Sequence, residues 1–565
     1  MRSELDGVMD TVVAGLTGPG GMLSLGQVER DGVTLPVIAT APPTLPAYFA
    51  HYAKEHAERT FLVAGDERLP FAAVHAQAEA VARALIAGGM AKGDRVGIAM
   101  RNSPSWIAIY MGILIAGGVA TLLNGWWQSE ELAGAIADVG CGLVFADGAR
   151  AKRLVDVAVR VVAIDDTLPL AQALAPVTAA AGDAALPELT GDDDATILFT
   201  SGSTGQSKGA LSDHRAVIQG TFSFLASALT MLTISTREGK APPEQHATLL
   251  NLPLFHVTAE IAVLLQSFAI GRKLVLMTRW DAEDAMRLIE RERVSYFVGV
   301  PLMSFEILTH PNRGLYDLSS VTDFAAGGAP RPAEHVRRIK EEMQGAPLIG
   351  YGLTETNAVG TGNFRSNYLA KPQSAGRASA PLVGLAILDG AGQQVPQGER
   401  GEVAIRSIAN FKGYWNNPAA TAAAIMPDGW FRTGDVGYLD EDGYLFIVDR
   451  KKDIIIRGGE NISCQEVEAA LYVHPQVAEA AVFGLADERF GEVPAAVVSV
   501  RKCEGGGDAD GEALRTFLAG HIAAFKVPQR IWIADGPLPR LGTEKIDKVA
   551  LRKKYRALFA TEGRG

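Results

Sequence analysis

The residues of this chain best suited to chemistry lie between Ile197 and Leu211, ILFTSGSTGQSKGAL. An apolar, β-rich run ends in Thr200, Ser201, Ser203 and Thr204, interleaved with Gly202, Gly205 and Gly209 and carrying one cation, Lys208. Glycines let a backbone approach a phosphate and turn its N–H groups toward it, while hydroxyls and an ammonium supply further donors. That composition predicts a polyphosphate-binding loop. It is not a Walker loop, because Ser207 precedes the lysine where that motif has glycine, and hydroxyls are more numerous. A Gly/Ser stretch alone is as often a flexible linker, but a linker does not follow a buried strand or carry a lone lysine.

Such a loop has to be carried by a sheet. From about Thr44 to Ile164, helical-period segments such as FAAVHAQAEAVARALIAGGM alternate with short apolar runs, RVGIAM and CGLVFA, the rhythm of helices packed on parallel strands. LAQALAPVTAAAGDAALPEL, running into Asp192, Asp193 and Asp194, reads as a surface linker with a solvated acidic end. The alternation resumes with ATLLNLPL, KLVLMT and VSYFVGV. From Ala375 onward Gly and Pro become frequent and short strands follow (GLAILDG, GEVAIRS, GYLFIVD), predicting a small antiparallel or barrel-like unit with a hairpin turn at Asp440–Gly443. A boundary is expected at DRKKD, Asp449–Asp453. Beyond it lies an α+β tail, with a capping box at Ser463 and Glu466 and strand candidates AEAAVFGL and AAVVSV. No repeat at a solenoid period is found.

Composition narrows the function classes. The 565 residues are 48% hydrophobic and 21% charged, as in folded globular chains. A formal charge of −11 leaves no basic field for nucleic acid or an anionic membrane, so an anionic ligand must be held by local groups. Cys141, Cys464 and Cys503 are few and unpaired in spacing, which fits buried thiols in a reducing cytoplasm. The N-terminus carries Glu4, Asp6 and Asp10 where an export signal needs a basic and then an apolar stretch. Residues 102–129 hold no charge, but Gly112 and the Gly117–Gly118 pair divide them into a buried helix and a buried strand, too short to span a membrane.

TSGSTGQSKGAL resembles the signature of the adenylate-forming (ANL) superfamily, which includes acyl-CoA synthetases, firefly-type luciferases and peptide-synthetase adenylation domains. The same order and similar spacing continue in LPLFHVT (252–258), GGAP (327–330), YGLTET (351–356), GWFRTGD (429–435), DRKKDIIIRGGENIS (449–463) and PRLGTEKIDK (539–548), with GDRVGIAMRNSPSW (93–106) upstream. The resemblance runs from about Thr44 to Leu551. It implies an α/β fold: an N-terminal ATP- and acyl-binding domain, 1–449, of parallel-sheet layers with the small barrel-like unit; a hinge at 450–452; and a small mobile α+β C-terminal domain, 453–565.

The reaction implied is ATP-dependent: a carboxylate attacks the α-phosphate, giving acyl-AMP and pyrophosphate, and the thiol of CoA then displaces AMP. Two anions 4 Å apart repel by about 4 kcal/mol at an effective dielectric of about 20, so a cation must lie between them. By motif position that cation is Lys545. The resemblance further assigns Tyr351 and Gly352, with Gly327, Gly328 and Ala329, to the adenine slot; Thr354 to phosphate; and Glu355 to Mg²⁺. Asp435 is assigned to the ribose hydroxyls with Arg450 beside it, and Lys208 to the β/γ-phosphates. Acyl-AMP has to be made away from water, yet CoA must reach the same carbonyl. The family meets both needs by swinging its C-terminal domain, here about Lys452, which brings Gly459 to the pantetheine channel.

His256 stands where amino-acid-activating relatives carry an aspartate, which disfavours an α-amino acid as substrate. By resemblance to coumarate-type ligases the acyl and CoA pocket is lined by His256, Thr258, Ala262, Val298, Gly299, Gly350 and Val359. They are small or apolar and lack an ionic anchor, which predicts a hydrophobic monocarboxylate, aryl-propanoid or fatty. Trp126 and Trp127 are candidates to close that tunnel or simply to fill core. Glu544 replaces the glycine usual before the catalytic lysine, and Asp449 the glycine usual before the hinge arginine. The expected partners are a small carboxylic acid and CoA, without nucleic acid or an integral membrane segment, and compatible with a homodimer. Competing readings are an adenylating enzyme that loads an amine or carrier protein, and a nucleotide-binding regulator without catalysis.

Overall fold

The computed structural model describes residues 3–200, 207–239, 243–451, 453–458, 460–487, 489–501, 510–541 and 545–562. The chain divides into two compact units, Met1–Leu385 with Ile405–Arg432, and Ala386–Ala404 with Thr433–Gly565.

In the first unit the alternation read from sequence becomes two large sheets. One has seven strands, with Asp194–Thr200, Val119–Leu122, Arg95–Ala99, Leu143–Asp147 and Arg160–Ile164 parallel. Lys208–Asp213 and Gly413–Tyr414 add an antiparallel edge. The other has nine strands, whose centre runs parallel through Lys273–Leu276, Ala247–Leu250, Tyr296–Gly299, Asp323–Gly327 and Ala346–Gly352. Such sheets bury both faces, which explains the unbroken apolar runs of their strands.

The charge-free segment folds as expected. Ser103 caps the helix Pro104–Ile115 by accepting from the N–H of Trp106, every residue of that helix is buried, and Val119–Leu122 follows as a buried strand. A Cβ on Gly112 would come within 2.6 Å of Val81, so the glycine lets this helix touch Phe71–Ala87. One helix, His214–Arg237, is long and apolar enough to cross a membrane by length and composition, but 67% of its apolar window is buried inside the protein. Cys141 and Cys464 are buried free thiols, and burial pushes Cys141 up to about 11. Cys503 lies outside the described residues.

Two expectations need correction. The Ala-rich linker begins as a helix, Leu170–Thr178, because Leu170, Ala173 and Leu174 find a buried face and Pro176 falls only in its last turn. The acidic end is not merely solvated: Asp192 pairs with Arg215 at 2.9 Å, Asp193 with Lys92 at 2.9 Å and Asp194 with Lys412 at 2.6 Å. The first 43 residues, which carry no sequence motif, form the helix Glu4–Thr17 and a hairpin, Leu25–Arg30 with Val33–Ile38. Buried Asp6 receives Arg377 at 3.0 Å, and Arg30 pairs with Asp213.

The second unit carries a five-stranded sheet in which Val477–Asp487 pairs antiparallel with Gly491–Val500 and Arg530–Ala534 lies parallel beside it. Ser463 accepts from the N–H of Glu466 to start the helix Cys464–Tyr472, which is half of the predicted capping box; the Glu466 carboxylate pairs with Lys526. A small four-stranded sheet, Gly384–Leu388, Gly401–Arg406, Phe431–Leu439 and Leu445–Arg450, stands where the barrel-like unit was expected. Its last two strands turn over Asp440–Gly443, with Gly443 at φ +81°.

Candidate active site

The strands on either side of the Gly/Ser segment, Asp194–Thr200 and Lys208–Asp213, pair antiparallel. Thr200 and Lys208 are cross-strand partners at the ends of antiparallel strands, so the loop's two ends are fixed in register. Ser201, Gly202, Ser203, Thr204 and Gly205 lie outside the described residues. The Lys208 ammonium stands over the ring of Tyr414 at 4.8 Å, and the Tyr414 hydroxyl donates to Oε1 of buried Glu355 at 2.8 Å. Burial, and then the Glu355 charge, hold the Tyr414 phenol well above its usual range.

Glu355 belongs to the short turn Thr354–Thr356 that follows the strand Ala346–Gly352. Its carbonyl accepts from the N–H of Phe411 at 2.8 Å. Asn357, left-handed at φ +47°, bonds Ser212 at 3.0 Å and the carbonyl of Ala409 at 2.8 Å. Three distant segments thus converge, bringing Thr200, Lys208, Thr354 and Glu355 to one end of the sheets. Tyr414 was missed in the sequence, where nothing links it to a residue 59 positions away.

Gly327 and Gly350 face each other in register on adjacent strands, and Gly328 takes φ +76°, a conformation that glycine adopts without strain. On Gly352 a Cβ would lie 2.1 Å from the Ala358 carbonyl oxygen, so close backbone approach requires glycine there. Gly327, Gly328, Gly350 and Gly352 line one end of a cavity of about 1280 Å³. Ala329 and Tyr351 do not line it; Tyr351 is partly buried on the same strand as Gly350, opposite Thr361.

Of the expected acyl-pocket residues, Thr258, Ala262, Val298, Gly350 and Val359 line this cavity. Thr258 and Ala262 do so from a π-helical segment, Thr258–Leu265. The helix His214–Arg237 supplies Phe222, Leu225 and Leu229. Gly299 is not part of the lining, since its Cβ position is closed off by Met303 at 2.9 Å and Asn251 at 3.3 Å. His256 also lies off it, its ring 4.5 Å from that of Phe255. Neither tryptophan closes a tunnel: Trp127 packs edge-on against Phe199 at 5.1 Å, and Trp126 is 46% exposed beside Arg150. The lining is not free of ionic groups, because Arg272 and Arg365 belong to it. On the π-helix, Glu260 is fully buried and accepts from the Tyr110 hydroxyl at 2.7 Å. Burial raises its carboxyl to about 8.

In the second unit, Asp435 and Arg450 are cross-strand partners, with Nε 3.2 Å from Oδ1. Lys545 is partly buried. Desolvation, and then the Arg450 guanidinium, lower its ammonium to about 8 against the pull of Asp435. Asp449, the departure from glycine, is buried and bonds backbone: Oδ1 accepts from Arg450 N at 2.7 Å, and Oδ2 from the first N–H groups of the helix Cys464–Tyr472. Gly458 takes φ +60°. Lys452, Gly459 and Glu544 lie outside the described residues.

The donor set bears on the metal. Among the described residues no group of three or more His, Cys, Asp or Glu could hold an ion. One buried carboxylate, Glu355, bonded to Tyr414 beside Lys208, fits Mg²⁺, which keeps few protein ligands and takes the rest from phosphate and water.

The model of the AMP-binding enzyme family matches residues 49–415, and that of the AMP-binding enzyme C-terminal domain matches 466–545. The long-chain-fatty-acid–CoA ligase FadD13 of Mycobacterium tuberculosis is 34% identical over 497 residues, covering 87% of this chain and 94% of the relative. A feruloyl-CoA synthase of Amycolatopsis is also 34% identical over 497 residues, covering 87% and 95%. Among solved structures, ATP-bound MatB from Rhodopseudomonas palustris superposes with a TM-score of 0.79 at 28% identity, covering 91% of this chain and 100% of that one. The o-succinylbenzoate CoA synthetase of Bacillus subtilis with ATP and magnesium gives 0.76 at 28%, covering 89% and 99%.

Proposed function

Since the chain belongs to the AMP-binding enzymes and is an AMP-forming acyl-CoA ligase, we propose that it activates a hydrophobic carboxylic acid, fatty or aryl-propanoid, with the residues above in divided roles. The observation that carries this reading is the cavity of about 1280 Å³, which runs from the glycine-lined strand ends Gly327 and Gly350 through an apolar middle at Val298, Ala325 and Leu348. Its volume exceeds what a drug-sized ligand needs.

In the first step a carboxylate oxygen attacks the α-phosphorus, a P–O bond forms, and the bond to pyrophosphate breaks. Lys545 offers its ammonium to the two anions, and Lys208 with Thr200 and Thr354 holds the outgoing phosphates. Glu355 would hold Mg²⁺, which supplies charge neutralisation on the phosphate oxygens. Tyr351 packs on adenine, and Asp435 accepts the ribose hydroxyls with Arg450 steadying the carboxylate. In the second step the CoA sulfur attacks the acyl carbon, the bond to AMP breaks, and AMP leaves. Residues 450–452 serve as the hinge that exchanges the two arrangements, and His256, beside Phe255 and off the cavity lining, is assigned to the CoA side by its motif position alone.

The cytoplasm is the compartment we assign. The thiols of Cys141 and Cys464, free and buried, support it.

The test is AMP release from ATP, Mg²⁺ and a panel of fatty and cinnamic acids, with and without CoA. CoA-dependent AMP release with acyl-CoA formation is expected. Acid-dependent pyrophosphate exchange with AMP release indifferent to CoA would point instead to an amine or carrier protein as acceptor.

A further inference from the structure

The cavity has two chemically different ends. Its parallel strands all run toward the glycines of the nucleotide end, so their first residues form the far end. Four or five residues at about 3.3 Å each put roughly 13–17 Å between the two. Register fixes what each level offers. Val298, Ala325 and Leu348 form an apolar row across three strands. One step toward the far end, the row is Tyr296, Asp323 and Ala346.

At that far end Arg272, just ahead of the strand Lys273–Leu276, is 5% exposed and lines the cavity. Its Nε and Nη1 have no hydrogen-bond partner. The face of Tyr296 lies 4.9 Å from its guanidinium carbon. The carboxylate within electrostatic reach, Asp323, is engaged elsewhere: Oδ2 accepts from the Thr322 hydroxyl at 2.7 Å, and Oδ1 stands 3.5 Å from Nε of Arg365. His56, 8% exposed and also in the lining, has an Nε2 without a hydrogen-bond partner, and its ring abuts Gly271, the residue before Arg272. Burial lowers its pKa, which favours the neutral imidazole. A buried guanidinium with idle donors is costly unless something supplies oxygen. A purely alkyl chain end would leave those donors as they are.

We propose that the far end of the cavity receives an oxygen carried on the acyl chain remote from the reacting carboxylate, with Arg272 as the specificity-determining donor. This deepens the ligase reading and rests on it. The substrate class is then a hydrophobic acid with a distal carboxylate, ketone or hydroxyl, and the matching chain length is the one that spans the apolar row. Nε and Nη1 of Arg272 donate to the distal oxygen, and His56 borders it.

The experiment uses the full chain with straight-chain monocarboxylic acids, α,ω-dicarboxylic acids, ω-oxo acids and ω-hydroxy acids of matched length. CoA-dependent AMP release is measured, with the melting temperature in the presence of each acid as a parallel readout of binding. At the best length, kcat/KM for at least one oxygenated acid is expected to exceed that of the plain acid by about tenfold or more, since a site built to bond oxygen rejects the analogue lacking it. Arg272→Met should erase or invert that ratio, while Arg272→Lys should keep a preference for the dicarboxylate. The ratio is taken within one preparation, so a variant with a smaller folded fraction still reports it. A wild-type enzyme that favours the plain acid at every length, or an unchanged ratio in Arg272→Met, would overturn the proposal while leaving the ligase intact. If no acid released AMP, the ligase reading would fail, and the melting shifts would still decide whether the far end prefers oxygen.

Discussion

The hydroxyl of Tyr414 donates to Oε1 of Glu355 across 2.8 Å, while the Lys208 ammonium rests on the same ring at 4.8 Å. One aromatic residue thereby orients the carboxylate proposed for Mg²⁺ and the cation proposed for phosphate. Tyr414→Phe keeps the ring and loses the bond. The Mg²⁺ concentration for half-maximal activity should rise about tenfold, the equivalent of a hydrogen bond to a charged group, with KM for ATP at saturating Mg²⁺ little changed. Tyr414→Ala removes the ring as well and should raise that KM too. Steady-state titration of both ligands separates the two effects. Equal effects of Phe and Ala on KM for ATP would contradict this division.

The ammonium of Lys545, the group proposed for adenylation, is lowered to about 8, and that step should therefore be pH-sensitive. Because the group is charged below that value and neutral above it, kcat/KM for acid-dependent pyrophosphate exchange should fall about tenfold per unit as pH rises past about 8. In Lys545→Arg the guanidinium stays charged throughout. That variant should be slower, with the alkaline limb gone. A limb that persists in Lys545→Arg would assign it to another group.

Much of this was legible in the chain because the relevant signals are local. The helix and strand separated by Gly117–Gly118, the turn at Asp440–Gly443 and the cap at Ser463 each lie within a few residues of what they determine. Groupings set by tertiary pairing were not legible. Tyr414 reaches Glu355 only because Gly413–Tyr414 pairs with Lys208–Asp213, and Arg272 reaches the cavity only because parallel strands start side by side. The Ala-rich stretch looked like a linker because Leu170, Ala173 and Leu174 are too few to show a period without the surface that buries them.

Glu260 offers a test of the buried interior near the pocket. Its carboxyl is raised from 4.5 to about 8 by burial. Below about 4.5 both folded and unfolded chains hold the proton and the group is neutral to stability. Between that pH and about 8 the unfolded chain releases the proton while the folded one keeps it, so stability falls across the window. Glu260→Gln, which can keep an acceptor for Tyr110, should therefore stabilise the protein by about 3 kcal/mol at pH 7 and by nothing near pH 4. Urea unfolding at the two pH values measures it, and equal effects at both would show that the carboxyl is ionised in the folded chain.

The central claim, that one ammonium drives adenylation and is not needed for thioester formation, is tested most directly by separating the half-reactions in Lys545→Ala. Acid-dependent pyrophosphate exchange is measured in one assay, and acyl-CoA formation from supplied acyl-AMP in the other. The account predicts exchange reduced by about 10²-fold or more, on the scale of a lost transition-state donor, with acyl-CoA formation from acyl-AMP within a few-fold of wild type. Loss of both half-reactions together, or retention of exchange, would contradict it.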